Sequence, residues 1–412
     1  MPIFFLFAFI GMIIDRCQHR NAGEVKDMLY LDHCATTPPN EEVVAAISDI
    51  MSRHYGNPSS IHRLGVDAEQ LLRKAREVIA GAITCKADEI VFTSGGTESN
   101  NLAIKGAVRS YRNRGNHIVT SAVEHASVYE CCKQLEEEGF RITYLPVDET
   151  GAVSVEDVRN ALCDETILVS IMHVNNEVGR IQPVKRIGDM LKSFPGILFH
   201  VDAIQSVGKL NVAPKELGAD LLSVSAHKVH GPKGAGFLYV RKGVNLTPLL
   251  VGGGQEGGIR AGTENVPLIV GMAKAVRIAV QKQSENAEKL YRLRKRLTDA
   301  LMEMPDLIVN GSSDPNDMAP QLVHFSFPGM KSEVVVHALE QHGIWISTRS
   351  ACASGEEKPS RVLLAMGCGK ERAASGLRVS YSAAQTEENI SYFTDCLKQV
   401  VEELRGLRKT IK

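Results

Sequence analysis

Between Glu41 and about Glu285 short apolar runs recur along the chain, with helical or turn-rich stretches between several of them. "EIVFTS" (89–94) reads as a short buried strand leading into the helix-like "ESNNLAIKGAVRSYR". "NHIVTSAV", "RITYLPV", "TILVSIMHV", "GILFHVDA", "ADLLSVSA" and "GAGFLYV" continue the series. Strands separated by crossovers require a mostly parallel sheet covered by helices, so the expected class is α/β. From about Glu285 the pattern changes: a long charged helix, "ENAEKLYRLRKRLTDALMEM", leads to "QLVHFSFP", "EVVVHALEQHG", "IWIS" and a last helix after Thr386. That tract reads as a second, α+β domain, and two domains are the normal expectation for 412 residues.

Composition excludes some functions. The formal net charge is −1, with 23% charged residues, which gives no electrostatic case for nucleic acid or an acidic membrane as the main partner. Nine cysteines follow no C-x-x-C or Cys/His metal spacing, and the 13 histidines lack paired spacing, so no metal site is expected. Scattered free thiols fit a reducing, cytoplasmic setting. The opening "MPIFFLFAFIGMIID" is apolar from Pro2 to Ile14, too short to span a bilayer comfortably and without the features of a secretory signal. Residues 1–27 are read as an extra segment, a translation start at Met28 being the other reading, and no membrane association is expected.

Polar residues crowd the strand ends, where open α/β sheets bind ligands. "TSGGTESN" follows a strand and opens a helix, so the amides around Gly95, Gly96 and Thr97 suit an anion, although a turn capped by Thr97 reads equally well. "FHVDAIQS" leaves Asp202 at a strand end with Gln205 three residues on; alone, such a carboxylate would simply cap the succeeding turn. "DLLSVSA" runs into "HKVHGPKG", so Lys228 emerges beside Ser225 and His227 where an ammonium is costly, a setting that favours Schiff-base chemistry. Together these meet the needs of pyridoxal phosphate: a lysine for its aldehyde, a carboxylate for its ring nitrogen, a helix start for its phosphate. "GGGQEG" (252–257) matches G-x-G-x-x-G but lacks the strand–turn–helix context of a dinucleotide site.

These residues sit within a longer ordered series, "YLDHCATTP", "GNPSSIH", "TSGGTESNN", "VEHASV", "HVNNEVG", "HVDAIQSVGK", "SAHKVHGPKG", "RAGTEN" and "SACAS". Over about 28–406 the chain resembles the cysteine desulfurases, pyridoxal-phosphate enzymes of the class V aminotransferase group. The resemblance implies a fold-type I enzyme: a large seven-stranded domain (45–285) and a small domain from both chain ends (28–44 and 286–412). It implies that Lys228 carries the cofactor, Asp202 pairs with the ring nitrogen and His125 stacks on the ring. Asn176 and Gln205 would lie near the ring substituents. Gly96, Thr97, Ser225 and His227 would hold the phosphate, joined by Thr263 from the other subunit of a homodimer. Asn57 and Arg378 would hold the carboxylate of L-cysteine, and Cys352 would accept its sulfur.

The 25 residues between Cys352 and Arg378 match the branch with the longer cysteine loop, and "RSACASGEEK" is polar enough to let a thiol reach the cofactor and swing outward. The family pattern has Ala or Asn at Cys34, a small residue at Arg349 and often Arg at Gly257. The expected reaction is conversion of L-cysteine to L-alanine, with the Cys352 persulfide passed to an acceptor protein. A selenocysteine lyase, or a non-catalytic interaction protein on the same fold, are the alternatives. The acceptor would serve iron–sulfur cluster assembly or tRNA thiolation. By the resemblance, the end at "VVEELRGLRKTIK" would lack the tail by which housekeeping members engage an iron–sulfur scaffold, so a dedicated acceptor such as a tRNA-thiolating enzyme is expected at least as much.

Overall fold

A computed structural model describes residues 28–348 and 359–410; residues 1–27, expected to be an extra apolar segment, lie outside the described residues. In chain order the strands are β1 (Leu29–Tyr30), β2 (Ile90–Thr93), β3 (His117–Ser121), β4 (Arg141–Leu145), β5 (Thr166–Met172) and β6 (Leu198–Asp202). They continue with β7 (Leu221–Ser225), β8 (Gly236–Val240), β9 (Ile308–Asn310), β10 (Leu322–Ser326), β11 (Ile344–Trp345) and β12 (Gly376–Ser380). Seven of them form one sheet in the order β2-β8-β7-β6-β5-β3-β4. β8 runs antiparallel to both neighbours and the remaining pairs are parallel. This is the expected mostly parallel α/β sheet.

The central strands are buried end to end, which explains their near-continuous apolar sequences. On one face Val169, Ile171, Phe199, Val201, Leu222 and Val224 pack in a core shared with the helices Arg63–Ala82 and Val266–Gln281. Both helices are capped from the sequence: the His62 ring accepts from the Gly65 amide, and the Asn265 side chain accepts from the Leu268 amide with a proline in the first turn. On the other face Leu168, Leu198, Leu221 and Leu238 pack against Gly96–Ser110 and Ala126–Glu137. A further core joins Leu29 and Leu31 to the helix Gln283–Met302, to β10 and β12, and to the last helix, Glu387–Thr410. It is built on a β12-β10-β9 sheet and the parallel β1-β11 pair, so the start of the described chain packs with its end.

The glycine-rich stretch 252–257 contains no helix of the dinucleotide type. Gln255–Gly258 is a 3-10 turn, and the Glu256 carboxylate accepts from the Phe92 amide at 2.8 Å and from both terminal nitrogens of Arg76 at 2.8 and 2.6 Å. The Arg76 guanidinium also lies 4.3 Å from the centre of the Phe92 ring. The stretch is thereby tied to β2. Among the described residues no helix is long and apolar enough to cross a membrane.

One close approach fixes the turn after β2. At Gly236 in β8 a Cβ would lie 2.6 Å from Gly95 Cα and 2.7 Å from Val224 O, both backbone atoms. Gly188, far along the chain from that turn, is equally crowded, with Leu217 O 2.0 Å from a built Cβ. Gly236→Ala and Gly188→Ala should each destabilise the fold by about 1–3 kcal/mol through overpacking. Only Gly236→Ala should also weaken cofactor retention, because it displaces Gly95. Thermal unfolding and cofactor dialysis of the two variants check this, and equal cofactor affinity in both would count against it.

Candidate active site

Helix starts and strand ends meet in one cleft. Gly96, Thr97, His125, Asn176, Asp202, Gln205, Ser225, His227, Lys228 and Arg378 all line it, so ten residues singled out from the sequence come together. Asn57 and Thr263 are not among its lining residues: Asn57 accepts from the Ser59 amide in an exposed turn, and Thr263 is exposed. Cys352 lies outside the described residues.

Each position follows from local structure. Lys228 ends the 3-10 turn Ala226–Lys228 directly after β7, and its amine donates to the carbonyls of Cys34 at 2.6 Å and Ala35 at 2.7 Å. The Gln205 amide donates to the same Cys34 carbonyl at 3.1 Å. The loop after β1 therefore closes one wall. Opposite, Gly95 precedes the helix Gly96–Ser110 with φ of 154°, and a Cβ on Gly96 would fall 2.2 Å from Ile204 Cδ1. The φ of Gly95 favours glycine, and a side chain at Gly96 would have to displace Ile204, at a helix start whose first-turn amides suit a phosphate. His227 shares a hydrogen bond with Thr36 through Nδ1 at 3.1 Å, and burial holds its ring down to about 4, so it is neutral.

Asp202 is 5% exposed at the end of β6. One carboxylate oxygen accepts from the Ile204 amide at 3.0 Å, the other from the Asn100 side chain at 2.8 Å. Burial pushes its carboxyl up, while His125, these donors and Lys228 favour the charged form. The second Asn100 hydrogen goes to Ser127 Oγ at 2.9 Å, and that hydroxyl pairs with His125 Nδ1 at 2.8 Å. His125 Nδ1 also accepts from the Ser127 amide at 3.1 Å. An acceptor nitrogen carries no proton, so the hydrogen-bond pattern assigns the ring proton to Nε2. Burial lowers the His125 pKa and keeps the ring neutral.

Asn100 and Ser127 were not singled out from the sequence. Their quoted motifs contain them, and the signal was spacing: Asn100 lies one helical turn beyond Gly96, on the face turned to the strand ends. Arg378, 1% exposed on β12, donates to Asn176 O at 2.7 Å and to Asp32 Oδ1 at 2.9 Å. Its Nε finds no partner among the described residues and suits a carboxylate.

The residues present fit pyridoxal phosphate. A buried carboxylate calls for a cationic N–H, the glycine cradle leaves room for phosphate, and a lysine amine faces the cleft between them. Beside them Glu124 is fully enclosed, its Oε1 accepting from Ser121 Oγ at 2.6 Å and the Met172 amide at 3.1 Å, its Oε2 without a partner among the described residues. Burial raises its pKa to about 8, against the pull of those two donors. The folded value exceeds the unfolded one, so this carboxyl favours the folded state at low pH and that contribution is lost between about 4.5 and 8. Glu124→Gln should remove this component, worth at most about 1.4 kcal/mol per pH unit in that window. Urea unfolding of both proteins across pH 5–8 tests it, and parallel stability curves would refute it.

The class-V aminotransferase family profile matches residues 29–393. The chain is 44% identical over 380 residues to the cysteine desulfurase IscS of Clostridium botulinum, covering 92% of this chain and 96% of that one. A solved NifS-like protein superposes with a TM-score of 0.85 at 38% identity, covering 91% of this chain and 99% of that one. A structure of SspA in complex with cysteine matches with a TM-score of 0.75 at 35% identity, covering 85% and 98%. The chain belongs to the class-V aminotransferase family, among its pyridoxal-phosphate-dependent cysteine desulfurases.

Proposed function

We propose that this enzyme converts L-cysteine to L-alanine and passes the sulfur, as a Cys352 persulfide, to an acceptor protein. The observation that carries this reading is the anchoring of the segment that contains Cys352. On its N-terminal side Ser347 and Arg378 exchange backbone hydrogen bonds at 3.1 and 2.7 Å. On its C-terminal side the Arg361 guanidinium donates to the carbonyls of Ala122 and Glu124, directly before His125, and stacks 4.0 Å over Tyr129. The described residues on either flank are therefore tied to Arg378 and to the residue before His125, and both Arg378 and His125 line the cleft.

Pyridoxal phosphate, when bound, supplies the electron sink that makes the substrate α-carbon acidic. The chain's residues do the rest. Arg378 holds the substrate carboxylate, with Asn57 assisting. Asp202, fixed by Asn100, keeps the ring nitrogen of the cofactor protonated. Thr97, Ser225 and His227 hold the phosphate with the Gly96 backbone, and Thr263 of the partner subunit in a homodimer completes the cradle. The Lys228 amine, once released by the substrate, takes the α-proton. His125 would stack on the ring and take part in moving the substrate thiol proton. Cys352 thiolate then attacks the substrate sulfur: a sulfur–sulfur bond forms, the carbon–sulfur bond breaks, and its electron pair stays on the substrate carbon. Protonation of that carbon releases alanine and leaves the persulfide on Cys352. We take residues 45–285 as the cofactor-binding domain and 28–44 with 286–412 as the smaller domain.

The acceptor is an iron–sulfur scaffold or a tRNA-thiolating enzyme. The seven cysteines among the described residues are all free thiols, which favours the cytoplasm. After brief exposure to cysteine, mass spectrometry should find one added sulfur on Cys352. Cys352→Ser should fold, bind cofactor and load substrate normally, with sulfur transfer to either acceptor falling by orders of magnitude. Full acceptor thiolation by that variant would contradict the proposal.

A further inference from the structure

Directly after the segment that contains Cys352, three distant stretches of chain are bonded to one another. Ser360 is 4% exposed and precedes the helix Arg361–Ala365. Its hydroxyl oxygen accepts from the Leu363 amide at 3.2 Å, which caps that helix, and its proton goes to Glu177 Oε2 at 2.6 Å. Capping uses only the oxygen lone pairs, so the hydroxyl proton is available for this second, carboxylate-directed bond. Glu177 is buried and follows Asn176, a cleft residue whose carbonyl accepts from Arg378.

The turn that carries Glu177 is fixed in its own right. Asn175 Oδ1 accepts from the Glu177 and Val178 amides, each at 2.9 Å, and Asn175 Nδ2 donates to Val123 O at 2.9 Å. Arg361 closes the third side through the carbonyls of Ala122 and Glu124. Residues 122–124, 175–178 and 360–363 are thus bonded pairwise in a ring, backed by a small core of Val123, Val178, Val362 and Leu363. The first stretch leads into His125, the second holds Asn176, and the third adjoins the Cys352 segment. Apolar contacts alone would hold the helix against this core, but they are non-directional and fix no register. A buried carboxylate–hydroxyl bond adds little stability over an apolar pair and supplies that register.

We infer that Glu177 and Ser360 are positioning residues for sulfur transfer. Their bond sets where the Cys352 segment joins the body of the protein relative to His125 and Asn176. The inference rests on the reading of Cys352 as the sulfur acceptor. In that step a sulfur–sulfur bond forms while the substrate carbon–sulfur bond breaks and its electron pair stays on carbon. Such a displacement needs the attacking thiolate in line with the breaking bond, so slack at this junction slows it without weakening cofactor or substrate binding.

The test is rapid-quench mass spectrometry of the Cys352 persulfide in the holoenzyme, with cofactor absorbance reporting substrate binding. Glu177→Leu should slow persulfide formation about tenfold at unchanged substrate affinity, the scale of one hydrogen bond to a charged group. Glu177→Gln keeps an acceptor in place and should restore most of the rate. Ser360→Ala should be slowed like Glu177→Leu, and decides alone if that variant fails to fold. The double variant should be no slower than either single one, because both remove the same bond. Met366→Ala opens a cavity in the same small core but spares the bond, so it should lower thermal stability without slowing transfer. Unslowed persulfide formation in Ser360→Ala, additive losses in the double variant, or equal slowing in Met366→Ala would overturn the inference alone. A wild type that forms no persulfide on Cys352 would overturn the underlying reading as well.

Discussion

The side-chain amide of Asn100 holds the centre of this molecule together. Its two hydrogens reach Asp202 at 2.8 Å and Ser127 Oγ at 2.9 Å, and the serine hydroxyl continues to His125. One helical residue therefore orients both the Asp202 carboxylate and, through Ser127, the His125 imidazole. The bonds are buried, where a broken one would leave an unsatisfied polar group rather than a solvated one. The network also gives the two ends opposite characters. Burial pushes the carboxyl up while Asn100 and the Ile204 amide favour its charged form, and the imidazole stays neutral with its proton on the nitrogen turned away from Ser127.

This arrangement depends on chain segments far apart in sequence. β6 delivers Asp202, β7 delivers Lys228, and the helix after β2 delivers Asn100 and the glycine cradle. The loop after β1 supplies the Cys34 and Ala35 carbonyls that hold the lysine amine, and β12 supplies Arg378. Asp32 joins the last two, because it accepts from Arg378 while its backbone bridges to Ser380. Cleft residues carried by the large sheet are thus closed in by groups whose positions depend on the other core.

Much of this was legible in the sequence because strand ends announce themselves. Asp202 and Lys228 each follow an apolar run, and Gly96 opens a helix after one, so period and punctuation alone brought them together. Arg378, and the role expected of Gln205, came through the family resemblance, and both residues line the cleft. Asn57 and Thr263 came by the same route and lie outside the cleft of this single chain. Asn100 was missed since a polar residue in a helix looks like surface until the packing face is known, and the structure buries it completely. The glycines at 252–257 match a dinucleotide pattern in spacing alone: what governs them is Glu256, held by Arg76 and the Phe92 amide.

The central claim is that Asp202, held by Asn100, fixes the proton on the cofactor's ring nitrogen. It is tested most directly by nitrogen NMR of enzyme loaded with pyridoxal phosphate labelled at that nitrogen. The wild type should show a protonated ring nitrogen throughout pH 6–9, Asp202→Asn an unprotonated one, and Asn100→Ala a proton lost at lower pH than in the wild type. A ring nitrogen that remains protonated in Asp202→Asn over the same range would contradict the claim.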